Sequence, residues 1–547
     1  MRNLSETGKT RYDLIIVGGG SLGSAMAWEA ASRGLRVALL EKEDFGSQTS
    51  ANSLRIVHGG LRYLQTLDIR RARRSIRERS AFLRIAPHLV APLRCALPSF
   101  PGLMRSRAAL GAGLLLNAVL SVDRNRRLDP LRRLPAGGLL PRSSLEEAAP
   151  GVSFAGTTGG AYWYDAIMLD AERLCLAFVL SAASAGALVA NHAEVTALFE
   201  ANGGSAAVSG IDRLSGEHFE LRAAAIADCR GPWIPHDPLG AAPSAEKTLK
   251  AVNVLLRTPQ LSYGIAFPGR EANGRLIRGR LFFAVPIAGA SAIGTWYFHS
   301  PCHPDESGLT DKERNQIVRD LSHACPGWEI TPDSILGAEI GLLHASSEPG
   351  EPLPAERPRI SRLSPESGSA AVWRIETEKW TTVRSLAETA VTEICATEGL
   401  AAEASRTRKT PIWGGDIDGM PNLRDTLRKA LPGGAKPDEI ERLLNLYGSH
   451  SVRIATDARE SDRLRQRVPG AETVSRAEIA HVLRHEMPGT LTDLIVRRLG
   501  LAIVSKPPPE AVEFIAKEIA TSESWSPEQL DRNVTAFNTH LRNRGLC

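Results

Sequence analysis

Tyr12-Asp13-Leu14-Ile15-Ile16-Val17 runs without a break into Gly18-Gly19-Gly20-Ser21-Leu22-Gly23. A short, nearly all-apolar run is the mark of a strand buried on both faces. The Ala-rich stretch that follows, SAMAWEAASRG to Gly34, reads as a helix. Leu35–Leu40 reads as a second apolar strand and closes on Glu41, 18 residues after Gly23. Strand, glycine turn, helix, strand and acid fall in the register of a dinucleotide-binding βαβ unit. Gly18, Gly20 and Gly23 permit a tight turn and bring backbone N–H groups to a pyrophosphate at the helix N-terminus, and Glu41 accepts a ribose hydroxyl. Glutamate at that position disfavours a 2′-phosphate. The unit by itself does not separate NAD from FAD.

Working outward, 547 residues leave room for about three units at roughly 100–200 residues each. With 43% hydrophobic and 23% charged residues, the chain can bury real cores. Seven scattered cysteines with no C-x-x-C argue against a disulfide framework or a structural zinc and suit a reducing cytoplasm. The opening residues carry no apolar signal-peptide run, and no stretch reaches the roughly 18–20 apolar residues that span a bilayer.

The net charge of +5 conceals an asymmetry. Arg55 to Arg133 holds 17 arginines against four acids, a surplus of 13, which leaves the rest of the chain at −8. Two segments carry it. Asp68–Pro87 places Ile69, Ala72, Ile76 and Leu83 on one helical face with arginines over the others, and basic residues bracket the apolar run Ala108–Leu120. Such segments dock on anionic membrane surfaces when the apolar face is free, and are ordinary solvated helices when it packs on its own protein. No nucleic-acid recognition module accompanies the charge, so nucleic acid is not an expected partner.

The next segment, DFGSQTSANSLRIVHGGLRYLQ (Asp44–Gln65), resembles the FAD-dependent glycerol-3-phosphate dehydrogenase family of D-amino-acid-oxidase-like flavoproteins. The likeness continues in collinear order through Ser75–Val90, Asp165–Val195, Gly231-Pro232-Trp233, KWTTVR (Lys379–Arg384), PIWGGD (Pro411–Asp416), LYGS (Leu446–Ser449) and Ala477–Arg498. It implies FAD as cofactor and an α/β fold: a discontinuous Rossmann-like FAD-binding domain (1–90, 150–240, 345–400), an inserted α+β substrate domain (91–149, 241–344) and a C-terminal helical domain (401–547). Gly18, Gly20, Gly23 and Glu41 would hold the adenosine and pyrophosphate end. Lys42, Thr49, Ser50, Ser53, His58, Gly59 and Gly60 would lie along the ribityl and ring side, with Val195 and Gly231 also at the cofactor, and Lys379, Thr381 and Thr382 would return to the flavin. Family members pass hydride from a secondary alcohol to the flavin and electrons on to membrane quinone; the acceptor expected here is quinone or oxygen. They are peripheral membrane proteins, which implies a cytoplasmic chain on the inner face of the membrane.

The chain departs from the family at the substrate end. Asn253 replaces a substrate-facing histidine of a K-G-x-H stretch, and an amide cannot take a proton. Leu342 replaces the arginine of G-V-R-P-L expected to grip a substrate phosphate, and Glu339 beside it would repel one. Thr295 is kept from a G-T-T-D stretch, but Trp296 and Tyr297 are large aromatics. Lys379 is the first candidate for the missing base, with hydrogen bonding to the flavin as its alternative role; His299 and His344 are weaker candidates. Arg62 is kept and implies a polar or anionic substrate group, so the expected catalytic set is Lys379, Arg62, Asn253 and Thr295. Three readings follow: an FAD-dependent dehydrogenase for an alcohol or amine other than glycerol 3-phosphate, a genuine glycerol-3-phosphate dehydrogenase, and a flavin-binding sensor with little turnover. His481, His485 and Glu486 have helical metal-ligand spacing, but no third ligand is indicated and no metal is expected. Cys229 beside Gly231-Pro232-Trp233 is either reactive or an ordinary core thiol.

Overall fold

The computed structural model describes residues 4, 10–64, 66–103, 105–201, 205–233, 248–259, 261–299, 308–345, 354, 357–363, 371–431, 433 and 435–546. Cys302 and Cys547 lie outside the described residues. The expected first strand forms over Arg11–Val17 and pairs in parallel with Val37–Leu40 on one side and His218–Asp228 on the other. Leu188–Ala190 and Ala371–Glu376 extend this parallel set outward. The helices Ser21–Ser32, Ala171–Ser184 and Val383–Glu398 contribute to one core with it. Helix Ser21–Ser32 is buried along nearly its whole length, and Ala25, Ala27, Ala30 and Ala31 are small enough to let it sit between sheet and neighbouring helices. The hairpin Ala193–Ala201/Ser205–Asp212 and the edge strand Arg359–Leu363 add antiparallel strands, making eight.

A second, nine-stranded sheet holds the substrate side, with Ile335–His344, Thr248–Leu256, Ala290–His299 and Leu276–Ile287 as successive neighbours. Ile56–Val57 and Gly159–Met168, both expected within the nucleotide-binding part, pair with each other in this sheet. Its core, packed under helix Asp311–Ala324, is built from Phe267, Phe282, Trp296 and Trp328. Alternation along Ala290–His299 turns Trp296 inward, where its indole N–H donates to Asp320 (2.9 Å). Trp296 therefore does not shape the substrate site as expected from sequence.

The C-terminal part is helical, with Pro437–Tyr447, Arg476–His485, Pro509–Ser522 and Pro527–Asn543 around its own core. Charged pairs seal it to the first sheet. Arg498 grips both oxygens of buried Asp44 (2.6 and 2.9 Å), and Arg173 grips Glu486 while donating to the Leu446 carbonyl (2.7 Å). The WGG and LYGS glycines meet here: a Cβ on Gly448 would lie 1.9 Å from the Gly414 carbonyl oxygen. Glu486 is thus an ion-pair partner of Arg173, not a ligand beside His481 and His485. Asp44, His192 and Asp493 have ligand spacing as well, but Arg497 and Arg498 neutralise Asp44 and His192 bonds Asp493 at 2.8 Å.

The two basic segments separate. Helix Ile69–Ile85 is capped by Asp68 and buries Ala72, Ile76, Phe82 and Leu83, with Arg79 and Glu78 paired internally to Asp165 and Arg384. Its apolar face is occupied by the protein, so the expected docking role does not apply to it. Helix Arg107–Leu120 buries no residue. Leu115 and Val119 are 70% and 65% exposed, and the flanking Leu103 and Val122 are 86% and 84% exposed. No helix among the described residues is long and apolar enough to cross a membrane.

Candidate active site

The strand-to-helix turn starts one continuous cavity of about 710 Å³. Gly18 adopts φ +101°, and a Cβ there would meet the Cys229 carbonyl carbon at 2.8 Å. Gly23 is tighter: its Cβ would stand 1.8 Å from the Gly18 carbonyl oxygen. Helix Ser21–Ser32 has Gly20 at its N-cap and so no N-cap side chain; Ser50 Oγ accepts from Ser21 N–H (2.8 Å), and the helix's positive end borders the cavity. The Glu41 carboxylate accepts from Gly19 N–H (2.6 Å) and Glu43 N–H (2.9 Å). Burial raises its pKa, and these N–H groups temper the rise.

From there the walls pass Lys42, Thr49, Ser50, Ser53, His58, Val195 and Gly231 to Lys379, then to Asn253, Thr295, Tyr297 and Leu342. The four strands and turns that carry these groups lie far apart in sequence; sheet register brings them together. Thr295 donates to the Asn253 amide oxygen at 2.8 Å. Thr49 binds both the N–H and the carbonyl of Leu342 (2.9 and 3.0 Å), tying the nucleotide side to the substrate strand. Lys379 Nζ donates to the Tyr63 hydroxyl at 2.6 Å and lies 4.5 Å from that ring. Burial raises the Tyr297 pKa, partly offset by the charge of Arg62.

Some expected residues lie outside the cavity lining. Gly23, Gly59, Gly60, Arg62, Thr381 and Thr382 are not among the residues lining the cavity. Gly59 N–H donates to Asp165 (2.6 Å), Gly60 (φ +80°) packs under helix Ile69–Ile85, and Thr381 accepts from His58 N–H (3.0 Å). Glu339 is corrected as well: its carboxylate pairs with buried Arg55 at 3.0 Å. Burial works against the Arg55 charge, but Glu339, Asp170 and Glu172 outweigh it and raise its pKa. Glu339 is therefore no open negative charge aimed at a substrate. Burial pushes the Cys229 thiol up, which disfavours the reactive thiolate. Tyr63, Arg55 and Asp165 were missed from sequence, where each is an isolated polar residue whose main partner lies far along the chain.

The comparisons agree with this geometry. The family model described as "FAD dependent oxidoreductase" matches residues 13–370, and "C-terminal domain of alpha-glycerophosphate oxidase" matches 405–530. Glycerol-3-phosphate dehydrogenase 1 of Mycobacterium bovis is 30% identical over 92% of this chain and 94% of its own length. The chain belongs to the FAD-dependent glycerol-3-phosphate dehydrogenase family. The Synechocystis glycerol-3-phosphate dehydrogenase is 27% identical over 99% of this chain and 98% of its own. The glycerol-3-phosphate dehydrogenase of Bacillus halodurans, solved with FAD, shares the fold at TM-score 0.76 and 22% identity, covering 99% and 97% of the two chains.

As a family member this is an enzyme, an FAD-dependent dehydrogenase acting on a CH–OH group. The residues present fit that cofactor. A cradle at Gly18 and Gly20 that a Cβ would crowd, a helix N-terminus without an N-cap side chain and a half-buried carboxylate at Glu41 suit a pyrophosphate and an unphosphorylated ribose.

Proposed function

We propose that the chain oxidises the CH–OH group of an alcohol other than glycerol 3-phosphate. The observation that carries this reading is the wall beyond Lys379, where Asn253, Thr295, Tyr297 and Leu342 offer hydrogen bonds and apolar surface. A phosphate dianion calls for a bidentate, permanently charged donor. Leu342 is none, and Arg55 on the same wall is held by Glu339. Bound FAD supplies the hydride acceptor. The Asn253–Thr295 pair positions the substrate oxygen, Lys379 and Tyr63 hold the flavin side, and Arg62 beside Tyr297 favours a polar substrate end. The cofactor would be held by those expected residues that line the cavity, from Gly18, Gly20 and Glu41 to Lys379. Quinone or oxygen takes the electrons onward.

Glycerol 3-phosphate itself is the second reading, favoured by full-length likeness to relatives that bear its name. Restoring the missing cation separates the two. Leu342→Arg is expected to speed anaerobic flavin reduction by sn-glycerol 3-phosphate at least about tenfold, roughly one charge-assisted hydrogen bond at 1.4 kcal/mol per decade. An unchanged or slower rate in this variant, beside fast reduction in the parent chain, supports the second reading.

We also propose that helix Arg107–Leu120 docks the enzyme on an anionic bilayer, its exposed Leu115 and Val119 entering between headgroups while the exposed Arg105, Arg107, Arg126 and Arg127 meet phosphates. Co-sedimentation with phosphatidylglycerol vesicles is expected for the parent chain. Leu115→Glu with Val119→Glu should weaken it at least about tenfold, from the loss of two buried apolar side chains. Equal sedimentation of the two would contradict the docking.

A further inference from the structure

A second cleft, of about 910 Å³, shares no residue with the flavin cavity. One wall is helix Ile69–Ile85, the other is helix Val383–Glu398, and Arg408 joins them. Six arginines and three glutamates line it. Helix Ile69–Ile85 turns Arg70, Arg73, Arg74 and Arg77 toward the cleft, so that Arg70 and Arg74 form one i, i+4 pair and Arg73 and Arg77 another. Like charges at that spacing work against a helix. An anion seated between them would relieve the repulsion.

The carboxylates nearby are taken by other arginines. Asp123 holds Arg73 through two bonds of 2.6 Å. Glu78 holds Arg384 through two bonds of 2.7 Å, and Glu388 bonds the same guanidinium at 2.8 Å. Among the described residues, exposed Glu393 alone lines the cleft without an arginine partner. Arg74 donates to the Ser385 hydroxyl (2.9 Å), which links the two walls. Among the described residues, neither Arg74 nor the exposed Arg70, Arg77 and Arg408 forms an ion pair. The surplus continues at half-buried Arg84 on the same helix, which bonds only the carbonyls of Arg126 (2.9 Å) and Arg408 (3.4 Å). Its pKa is lowered, by burial first and then by the charges of Arg408, Arg127 and Arg126. The positive charge is therefore not balanced from within the protein.

A cleft lined by one sign of charge concentrates the opposite ion, and guanidinium forks match phosphate oxygens in pairs. At a rise of about 1.5 Å per residue, Arg70 and Arg77 stand roughly 10 Å apart along the helix. One phosphate cannot meet both; a chain of phosphoryl groups can. Glu388 and Glu393 on the facing wall break up any all-basic plane, which favours a small soluble ligand over a bilayer. Both walls also lead into the flavin cavity. Tyr63 precedes one helix and Lys379 the other, joined by their 2.6 Å bond, and helix Ile69–Ile85 packs on both turns, Leu61–Leu64 and Trp380–Thr382. We infer that this cleft is a regulatory site for a soluble ligand bearing a chain of phosphoryl groups, which bridges the helices through Arg70, Arg74, Arg77 and Arg408 and shifts the Tyr63–Lys379 pair. The inference holds whichever alcohol the enzyme oxidises.

Calorimetric titration of the FAD-loaded enzyme, whose nucleotide turn is already filled, tests it with tripolyphosphate and ATP as probes and inorganic phosphate as the comparison. The expected result is saturable binding of one tripolyphosphate per chain, with inorganic phosphate at least about tenfold weaker. ATP binding as well as tripolyphosphate would show that the ligand can be a nucleotide; tripolyphosphate alone would restrict it to the inorganic chain. Arg77→Glu with Arg408→Glu should weaken tripolyphosphate at least about tenfold, the scale of lost charge-assisted hydrogen bonds. Both side chains are exposed, so flavin content should be retained; Arg77→Gln with Arg408→Gln is the milder pair should the reversal disturb folding. Saturating tripolyphosphate should also shift the visible flavin band of the parent enzyme and leave that of the variant unchanged. No binding at about 1 mM overturns the inference, as does equal affinity in parent and variant. Tight binding with an unmoved flavin band overturns the regulatory link. A parent enzyme that ignores tripolyphosphate, beside a variant that no longer sediments with phosphatidylglycerol vesicles, assigns the arginines to a bilayer and overturns the soluble ligand.

Discussion

Gly23→Ala is expected to yield a folded chain that has lost its flavin. The new methyl carbon would stand 1.8 Å from the Gly18 carbonyl oxygen. Gly18 cannot retreat, because its own Cα side lies against the Cys229 backbone and its N–H is fixed to the Leu40 carbonyl (2.8 Å). The turn must open instead, at an overpacking cost of about 1–3 kcal/mol, and it opens where backbone N–H groups would meet the pyrophosphate. FAD affinity should fall about 100-fold, near 2.7 kcal/mol at 1.4 kcal/mol per decade. Flavin retained after gel filtration measures it. Gly34→Ala is the control: Gly34 also has positive φ (+84°), but nothing lies within 4 Å of its added carbon. It should cost about 1 kcal/mol of stability by strain alone and keep the flavin.

Arg173→Met is expected to be among the most destabilising single changes in the chain. Arg173 and Glu486 are 3% and 0% exposed, and the guanidinium also holds the Leu446 carbonyl (2.7 Å). Removing the cation leaves a carboxylate buried with its principal partner gone, a loss of about 3–5 kcal/mol. Replacing both residues with apolar ones should recover much of that loss, because the uncompensated charge disappears along with the pair. Urea unfolding of the two variants checks both statements. The damage should appear first as easier proteolysis between the first sheet and the helical C-terminal part, since this pair joins them. A single variant within about 1 kcal/mol of the parent would contradict the account of that interface.

The nucleotide half of the site was legible in the sequence because its parts are local. Strand, glycines, helix and Glu41 sit within about thirty residues, and each keeps its meaning without the rest of the fold. The substrate half is built by register. Thr295 meets Asn253 across neighbouring strands, and alternation sends Trp296 to the core while Tyr297 faces the cavity. No periodicity in a lone stretch announces which of three successive residues will face a ligand. Charge pairs are harder still. Glu339 looked like a source of repulsion until Arg55, 284 positions earlier, came to lie against it. The same limit hid Asp165 behind His58. The arginine-rich block illustrates a third case: two segments of similar composition diverge because one buries its apolar face in the protein, while the other, Arg107–Leu120, lies half-buried on the sheet and leaves Leu115 and Val119 exposed.

The central claim is that a family flavoprotein has kept its cofactor half and changed its substrate. The most direct test adds sn-glycerol 3-phosphate, and in parallel non-phosphorylated alcohols such as glycerol, to the FAD-loaded enzyme without oxygen and follows the flavin absorbance. The account predicts slow or absent bleaching with the phosphate ester, faster bleaching with a non-phosphorylated alcohol, and full reduction by dithionite in every sample. Rapid bleaching by sn-glycerol 3-phosphate at modest concentration would contradict it, and would mean that a cation other than one at position 342 holds the phosphate.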